Sequence, residues 1–199
     1  MKGTGRMAVK LYNSPRYRDE SGAAALEMAI ILPLILIILF GIIDFGRLLS
    51  ARLVLTNVAR EGGSLASRDI QAASNLISML QVAGSPLDLV SAGQIYITQI
   101  DAGSSASSPY PTINSASSAS GGNLSVQSSI GSVWPNLGLP SNIYQHLVFN
   151  SSQNTSDISG VTVVEVYYKY KPISPLSNFI PGLMTGSGGG MIISSRAVF

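Results

Sequence analysis

The sequence has no cysteine and a single histidine. The first absence excludes a disulfide framework, an iron–sulfur site and a thiolate zinc site. The second leaves no material for a His-rich metal centre, and His146 sits beside apolar residues with no acid or nucleophile clustered next to it. Charge is also scarce: 11% of residues, with twelve Lys and Arg against ten Asp and Glu for a net +2. A nucleic-acid binder needs a dense basic face, which this composition does not supply. The acids Asp88, Asp101, Asp157 and Glu165 are scattered, at spacings that predict no paired-carboxylate or metal site. Tyr167, Tyr168 and Tyr170 alternate with Lys169 and Lys171, which reads as a strand with one exposed face, not a nucleic-acid platform. No catalytic residue, metal or cofactor is assigned, and neither an enzymatic activity nor a small-molecule substrate is expected.

What is present is an uneven distribution of charge. Residues 1–22 carry Lys2, Arg6, Lys10, Arg16 and Arg18 against Asp19 and Glu20, residues 23–43 carry Glu27 alone, and residues 44–199 are balanced. The middle block, AAALEMAIILPLILIILFGII, runs from Ala23 to Ile43. At ~1.5 Å per residue it extends ~31 Å, against a bilayer core of ~30 Å. A cleaved secretory signal has a shorter apolar region, ~7–15 residues, ending in small residues; this one ends in Ile42-Ile43-Asp44-Phe45. The run is therefore read as a transmembrane helix. Five basic residues precede it, while Arg47 and Arg52 follow it closely. The positive-inside tendency then places 1–22 in the cytoplasm as a basic leader and 44–199 outside it.

Glu27 lies inside the apolar run, where a carboxylate at the bilayer centre costs ~2.5–3.5 kcal/mol and less near an interface. Either it reaches water at the cytoplasmic surface or it needs a positive partner. Gly22 favours the second reading. A cut after Gly22 makes Ala23 the new N-terminus and Glu27 the fifth residue, one helical turn away on the same face. The Glu27 carboxylate of one subunit could then meet the α-amine of its neighbour, neutralising two charges in lipid and setting the axial register between subunits. Pro33 removes one backbone hydrogen bond, as membrane helices commonly tolerate. Asp44 and Arg47, at the membrane exit, are three apart and can pair across one turn.

A basic leader, Gly22, and a glutamate at the fifth position of an apolar helix resemble the signal of type IV pilins and pseudopilins. The wider string GAAALEMAIILPLILIILFGIIDFGRLL, continuing into VLTNVAREGG, resembles the TadE family of tight-adherence (Flp-type) pilus systems. The residues carrying this likeness are Glu27, Pro33 and the exit Asp44-Phe45-Gly46-Arg47; the departure is Met28, where Flp-type cleavage motifs favour an aromatic residue. The resemblance implies a pilin-like pseudopilin or minor pilin in the bacterial inner membrane, cut after Gly22 by a prepilin peptidase. It implies as partners an inner-membrane platform, a cytoplasmic ATPase acting through it, and other pilins. An uncleaved single-pass scaffold of the same apparatus and a membrane-anchored extracytoplasmic enzyme are the alternatives.

Beyond the span, Leu48, Ala51, Leu55, Val58, Ala59, Gly62, Leu65 and Ala66 recur at spacings of three and four. This predicts one helix over about 23–67, its second half laid on a soluble domain, with Gly62-Gly63 a place to bend. A second helix is expected over 69–82, capped by Ser67 or Asp69, and then a short turn over 86–92, with Ser85 as its N-cap, Pro86 as its first helical residue and Gly93 closing it. Strands are expected at Gln94–Asp101, Val161–Tyr170 and Met191–Phe199, with the prolines of 172–183 kept out of pairing. The expected fold is α+β, a long N-terminal helix packed on a small antiparallel sheet of about three strands. The stretch 102–132, dense in Ser, Gly and Ala, is expected to be largely mobile. Trp134, Leu137, Tyr144, Leu147, Val148 and Phe149 are expected to anchor a lid on the sheet, with Ser141 capping a short helix.

Overall fold

The computed structural model describes residues 21–68, 72–131, 136–174 and 190–199. The basic leader, Asp69, Trp134 and the prolines Pro175 and Pro181 lie outside the described residues. The chain divides into two units, Met1–Leu39 and Phe40–Phe199. The described part of the first unit is helix throughout, and Gly22–Leu39 is exposed along its whole length. It is the beginning of α1, Ser21–Ala66, which contains Pro33 and continues through it.

The second unit is α+β. After α1 come α2 (Ala73–Ala83), β1 (Gly93–Asp101), β2 (Thr112–Gly122), α3 (Ser141–Leu147), β3 (Gly160–Tyr170) and β4 (Met191–Val198). The sheet has four antiparallel strands in the order β2-β1-β3-β4. Three of them arise where alternating β-branched and aromatic residues put large side chains on both faces. One face of the sheet presents Ile95, Ile97, Val164, Val166, Tyr170 and Ile193 to the helices, where Ala51, Leu55, Val58 and Ala59 of α1 and Leu76, Ile77 and Leu80 of α2 complete a core. The other face places Ile100, Val161 and Val163 under Ile130, Leu139 and Leu147. β3 is thus buried on both sides over Val161–Val166. Leu137 and Tyr144 pack against the second core and Phe149 is buried, so the expected lid is present in its described part.

The fourth strand corrects the expectation of a mobile 102–132 stretch. β2 carries TINSASSASGG, and its small side chains are a packing requirement: a Cβ at Gly121 would stand 2.7 Å from Cγ2 of Ile77 in α2. Main-chain bonds to β1 offset the ordering entropy that its side chains cannot. Residues 115–118 bulge out between the Ile97–Ala119 and Gln99–Asn114 pairs. There Ser118 Oγ accepts from the Gln99 N–H at 3.0 Å, and the Asn114 side-chain amide donates to Asp101 at 2.9 Å.

Two smaller expectations change as well. Gly62 and Gly63 do not interrupt α1; a Cβ on Gly62 would meet Leu80 at 2.6 Å and one on Gly63 would meet the Phe199 ring at 2.2 Å. They allow the helix to approach its neighbours, where the expectation was a bend. Residues 86–92 form turns, as expected, with the Asp88 carboxylate accepting from the N–H groups of Val90 and Ser91. α2 begins at Ala73, without a side-chain cap, and α3 begins at Ser141, with Pro140 in the cap position.

Candidate functional site

The exposed start of α1 carries the residues singled out for processing and register. Gly22 and Ala23 lie in its first turn and are exposed, with nothing within 4 Å of a Cβ built on Gly22. Glu27 is exposed among Leu26 (65% accessible), Met28 and Ile30 (69%). An isolated soluble domain would not leave so continuous an apolar surface in water. The helix is long and apolar enough to cross a membrane, and none of its most apolar stretch is buried within the fold.

At the far end of that segment the expected Asp44–Arg47 pair is not formed. Among the described residues the ion pair present is His146–Asp157, at 2.7 Å on the surface. Asp44 is instead buried, 1% accessible, and its carboxylate accepts from the backbone N–H of Ile173 at 3.1 Å and of Ser174 at 3.3 Å, and from the Ser174 hydroxyl. Its carbonyl accepts from the Tyr170 hydroxyl at 2.9 Å. The chain leaving β3 is therefore bound to α1 one residue past the apolar run. Arg47, one turn on, is exposed. The physical reason is burial: a desolvated carboxylate is satisfied better by convergent N–H and O–H donors than by a long, solvated guanidinium.

The acids read as scattered do not converge, but Glu165 is far from idle. It is 2% accessible in the middle of β3, and accepts from the hydroxyls of Ser128 and Ser129, from the Ser129 N–H at 3.4 Å and from the Tyr167 hydroxyl at 3.2 Å. Arg196, its cross-strand neighbour, donates to the Gly138 carbonyl at 3.0 Å and so holds the lid from the other side. The missed signal was a carboxylate inside VTVVEVYY, a run apolar enough to be buried on both faces. His146 finds a partner that its sequence neighbours did not reveal, yet the pair is exposed. Among the described residues no group of three His, Cys, Asp or Glu is placed to hold a metal ion.

Residues 22–64 match the TadE-like protein family. That segment is α1 nearly from end to end, and the match takes in Gly22, Glu27, Pro33, Asp44 and Arg47 together. No curated protein and no solved structure gives a significant match to the chain. A TadE-like N-terminal segment and an apolar helix of membrane-spanning length are together consistent with a membrane protein associated with a Tad pilus.

Two tyrosines give the chain a testable pH response. Burial, then the charge of Asp44, pushes Tyr170 above its ordinary 10.0, against a smaller opposing effect of Arg47. Burial, then the Glu165 charge and hydrogen bond, does the same for Tyr167. Both phenols are held neutral more firmly in the folded state than in the unfolded one. Their contribution to stability is complete below pH 10 and is lost as the pH rises through the folded-state values. Melting of the detergent-solubilised chain between pH 8 and 11.5 should show a midpoint constant up to about pH 10 and falling above it. The Tyr170→Phe variant should fall less steeply; an identical decline would remove Tyr170 from this account.

Proposed function

We propose that the protein is a TadE-like pseudopilin or minor pilin, a structural component in the assembly of a tight-adherence (type IVb, Flp-type) pilus. It is held in the bacterial inner membrane by one crossing, with its N-terminus in the cytoplasm and residues 44–199 outside. The observation that supports this reading is the exposed apolar run Gly22–Leu39 with one acid, Glu27, five residues after the candidate cut at Gly22.

Assembly follows from the physics of that surface. In the membrane the helix is solvated by lipid. Once extracted, it must be covered again, and burying apolar surface is worth ~25 cal/mol per Å², so neighbouring helices are strongly held in a bundle. Glu27 supplies register by meeting the α-amine of an adjacent subunit, a pairing made strong by the low dielectric around it. The sheet domain supplies specific contacts. The partners in this scheme are the prepilin peptidase, the inner-membrane platform with its cytoplasmic ATPase, and other pilins.

Intact-mass measurement of the protein extracted from membranes tests the first step, with a mature chain starting at Ala23 expected. Retention of residues 1–22 would favour the second reading, a permanent uncleaved scaffold of the same apparatus, for which Met28 beside Glu27 is the specific observation. Glu27→Ala should leave insertion intact and impair assembly. Normal piliation in that variant would remove the register role.

A further inference from the structure

One cleft in the second unit has a chemistry that pilus assembly does not use. It encloses about 310 Å³ between the start of α2, the β2 bulge and one end of β1 and β3, and Ala73, Ser74, Gln99, Ser117 and Thr162 are among its walls. Ile97 and Val164 face the first core, and Gln99 and Thr162 are the next pair along on the same face of the sheet. α1 stops at Ala66, beside the cleft, and leaves that end of the face to α2 and the bulge. Thr162 is only 6% accessible, yet among the described residues its hydroxyl has no hydrogen-bond partner. No fully occluded side-chain N or O atom of these residues lacks a partner, so this hydroxyl reaches the surface of the cleft. The Gln99 side-chain amide likewise has no partner among them; its main-chain N–H is taken by Ser118. Unpaired polar groups at a buried site are costly, and a ligand that bonds to them recovers the loss.

Another wall of the cleft is a helix N-terminus. α2 has 11 residues and no side-chain cap. The N–H groups of Asn75 and Leu76 both go to the Ala72 carbonyl, at 3.0 and 3.2 Å, while those of Ala73 and Ser74 have no acceptor among the described residues. Two free amide donors at the positive end of a helix suit a carboxylate. Among the described residues no lysine or arginine lines the cleft, so recognition of charge falls to these amides. The other end has the opposite character. Asp101, two residues beyond Gln99, accepts from the Asn114 side-chain amide at 2.9 Å, and with Gln99 and Thr162 it borders an adjoining recess. That end repels an anion and suits hydroxyl groups, which donate as well as accept.

We propose that this cleft binds a sugar acid, a single ring bearing one carboxylate. The N–H groups of Ala73 and Ser74 hold the carboxylate, and Gln99, Thr162 and the Ser117 hydroxyl exchange hydrogen bonds with the ring hydroxyls. A cavity of this size is at the small end of ligand sites, ~300–1,000 Å³, and takes one ring, not a chain. Ala66, Ala72 and Ala116 line it with small side chains, which leaves that room open. The site needs neither the membrane crossing nor the processing of the pilus reading and stands apart from both.

The test is a calorimetric titration of the full chain, in a neutral detergent whose headgroup carries no sugar, with glucuronate, glucose and acetate as probes. Two variants are compared with the wild type. Ala73→Pro removes one N–H at the first helical position, where proline is favoured, and Ala72 before it already has the extended ψ of 138° that a residue preceding proline adopts. Thr162→Val removes the hydroxyl and keeps the branched shape. Both should melt no lower than the wild type. The wild type should bind glucuronate about tenfold more tightly than glucose or acetate, since hydrogen bonds to a charged group are the stronger kind. Ala73→Pro should lose about tenfold on glucuronate and leave glucose unchanged, and Thr162→Val should weaken both sugars by about fivefold and leave acetate unchanged. Glucose and glucuronate bound equally by the wild type, or no binding of glucuronate, would overturn the proposal, as would an Ala73→Pro chain that melts normally and keeps its full affinity for glucuronate. Acetate bound as tightly as glucuronate would overturn the sugar ring as the ligand. The wild-type comparison of the three probes decides the matter even where a variant melts lower.

Discussion

Asp44→Ala is expected to remove about 3 kcal/mol of stability, since hydrogen bonds to a charged group contribute ~1.5–3 kcal/mol and the donors left behind are costly to bury. For a chain of this length that is a fall of roughly 6–12 °C in the melting midpoint. Three donors converge on this one carboxylate, at a site 1% accessible to water, and the Tyr170 hydroxyl bonds its carbonyl. Hydrogen exchange should locate the damage: the amides of Ile173 and Ser174 should lose protection before the rest of the sheet. Arg47→Ala discriminates between the structure and the simpler helix-pair picture. An Asp44–Arg47 pair would make both variants equally harmful. With Arg47 exposed and unpaired, its removal should change stability by less than about 0.5 kcal/mol. Equal melting of Asp44→Ala and wild type would refute the clamp.

Glu165→Ala is the second large effect, again about 3 kcal/mol, because it strips a buried acceptor from two serine hydroxyls and a tyrosine at once. The lid segment around Ser128–Ile130 should loosen, since Glu165 is its polar attachment to the sheet. Glu165→Gln should cost less, as one amide oxygen still accepts while the NH₂ group faces donors. A second readout separates loss of this attachment from general unfolding. Tyr167 owes part of its raised pKa to the Glu165 charge and hydrogen bond. In Glu165→Ala its ultraviolet titration should move to lower pH, while the part due to burial remains. An unmoved Tyr167 titration in a folded variant would contradict the geometry.

Strands β1, β3 and β4 were legible because their side chains announce them: Ile95 and Ile97 against Tyr96, the run from Val161 to Tyr170, and Met191 to Phe199. α1 was legible because its apolar stripe and its membrane-length segment join without a break. β2 was not. Ser115 to Ser120 look like a solvated linker, since no large residue among them has surface to bury. What makes them a strand is an edge of β1 offering main-chain partners and an overlying α2 that leaves no room for more than a glycine at 121. The same blindness affected Gly62-Gly63. A glycine pair reads as a weak point in a helix until Leu80 and Phe199 are seen to occupy the missing side chains' places.

The candidate site divides in the same way. Gly22, Ala23 and Glu27 form a local pattern, contained within two turns of one helix, and apolarity over a bilayer's thickness is a property of consecutive residues. Such features depend on neighbours along the chain, so the amino-acid order alone determined them, and the TadE-like match falls on that same segment. The roles of Asp44 and Glu165 were decided only by the tertiary structure. Asp44 meets donors 129 and 130 residues away, and Glu165 meets Ser128 and Ser129 37 and 36 residues before it. A buried carboxylate takes whichever donors the folded chain converges on it, and that convergence is a matter of space, not of sequence spacing.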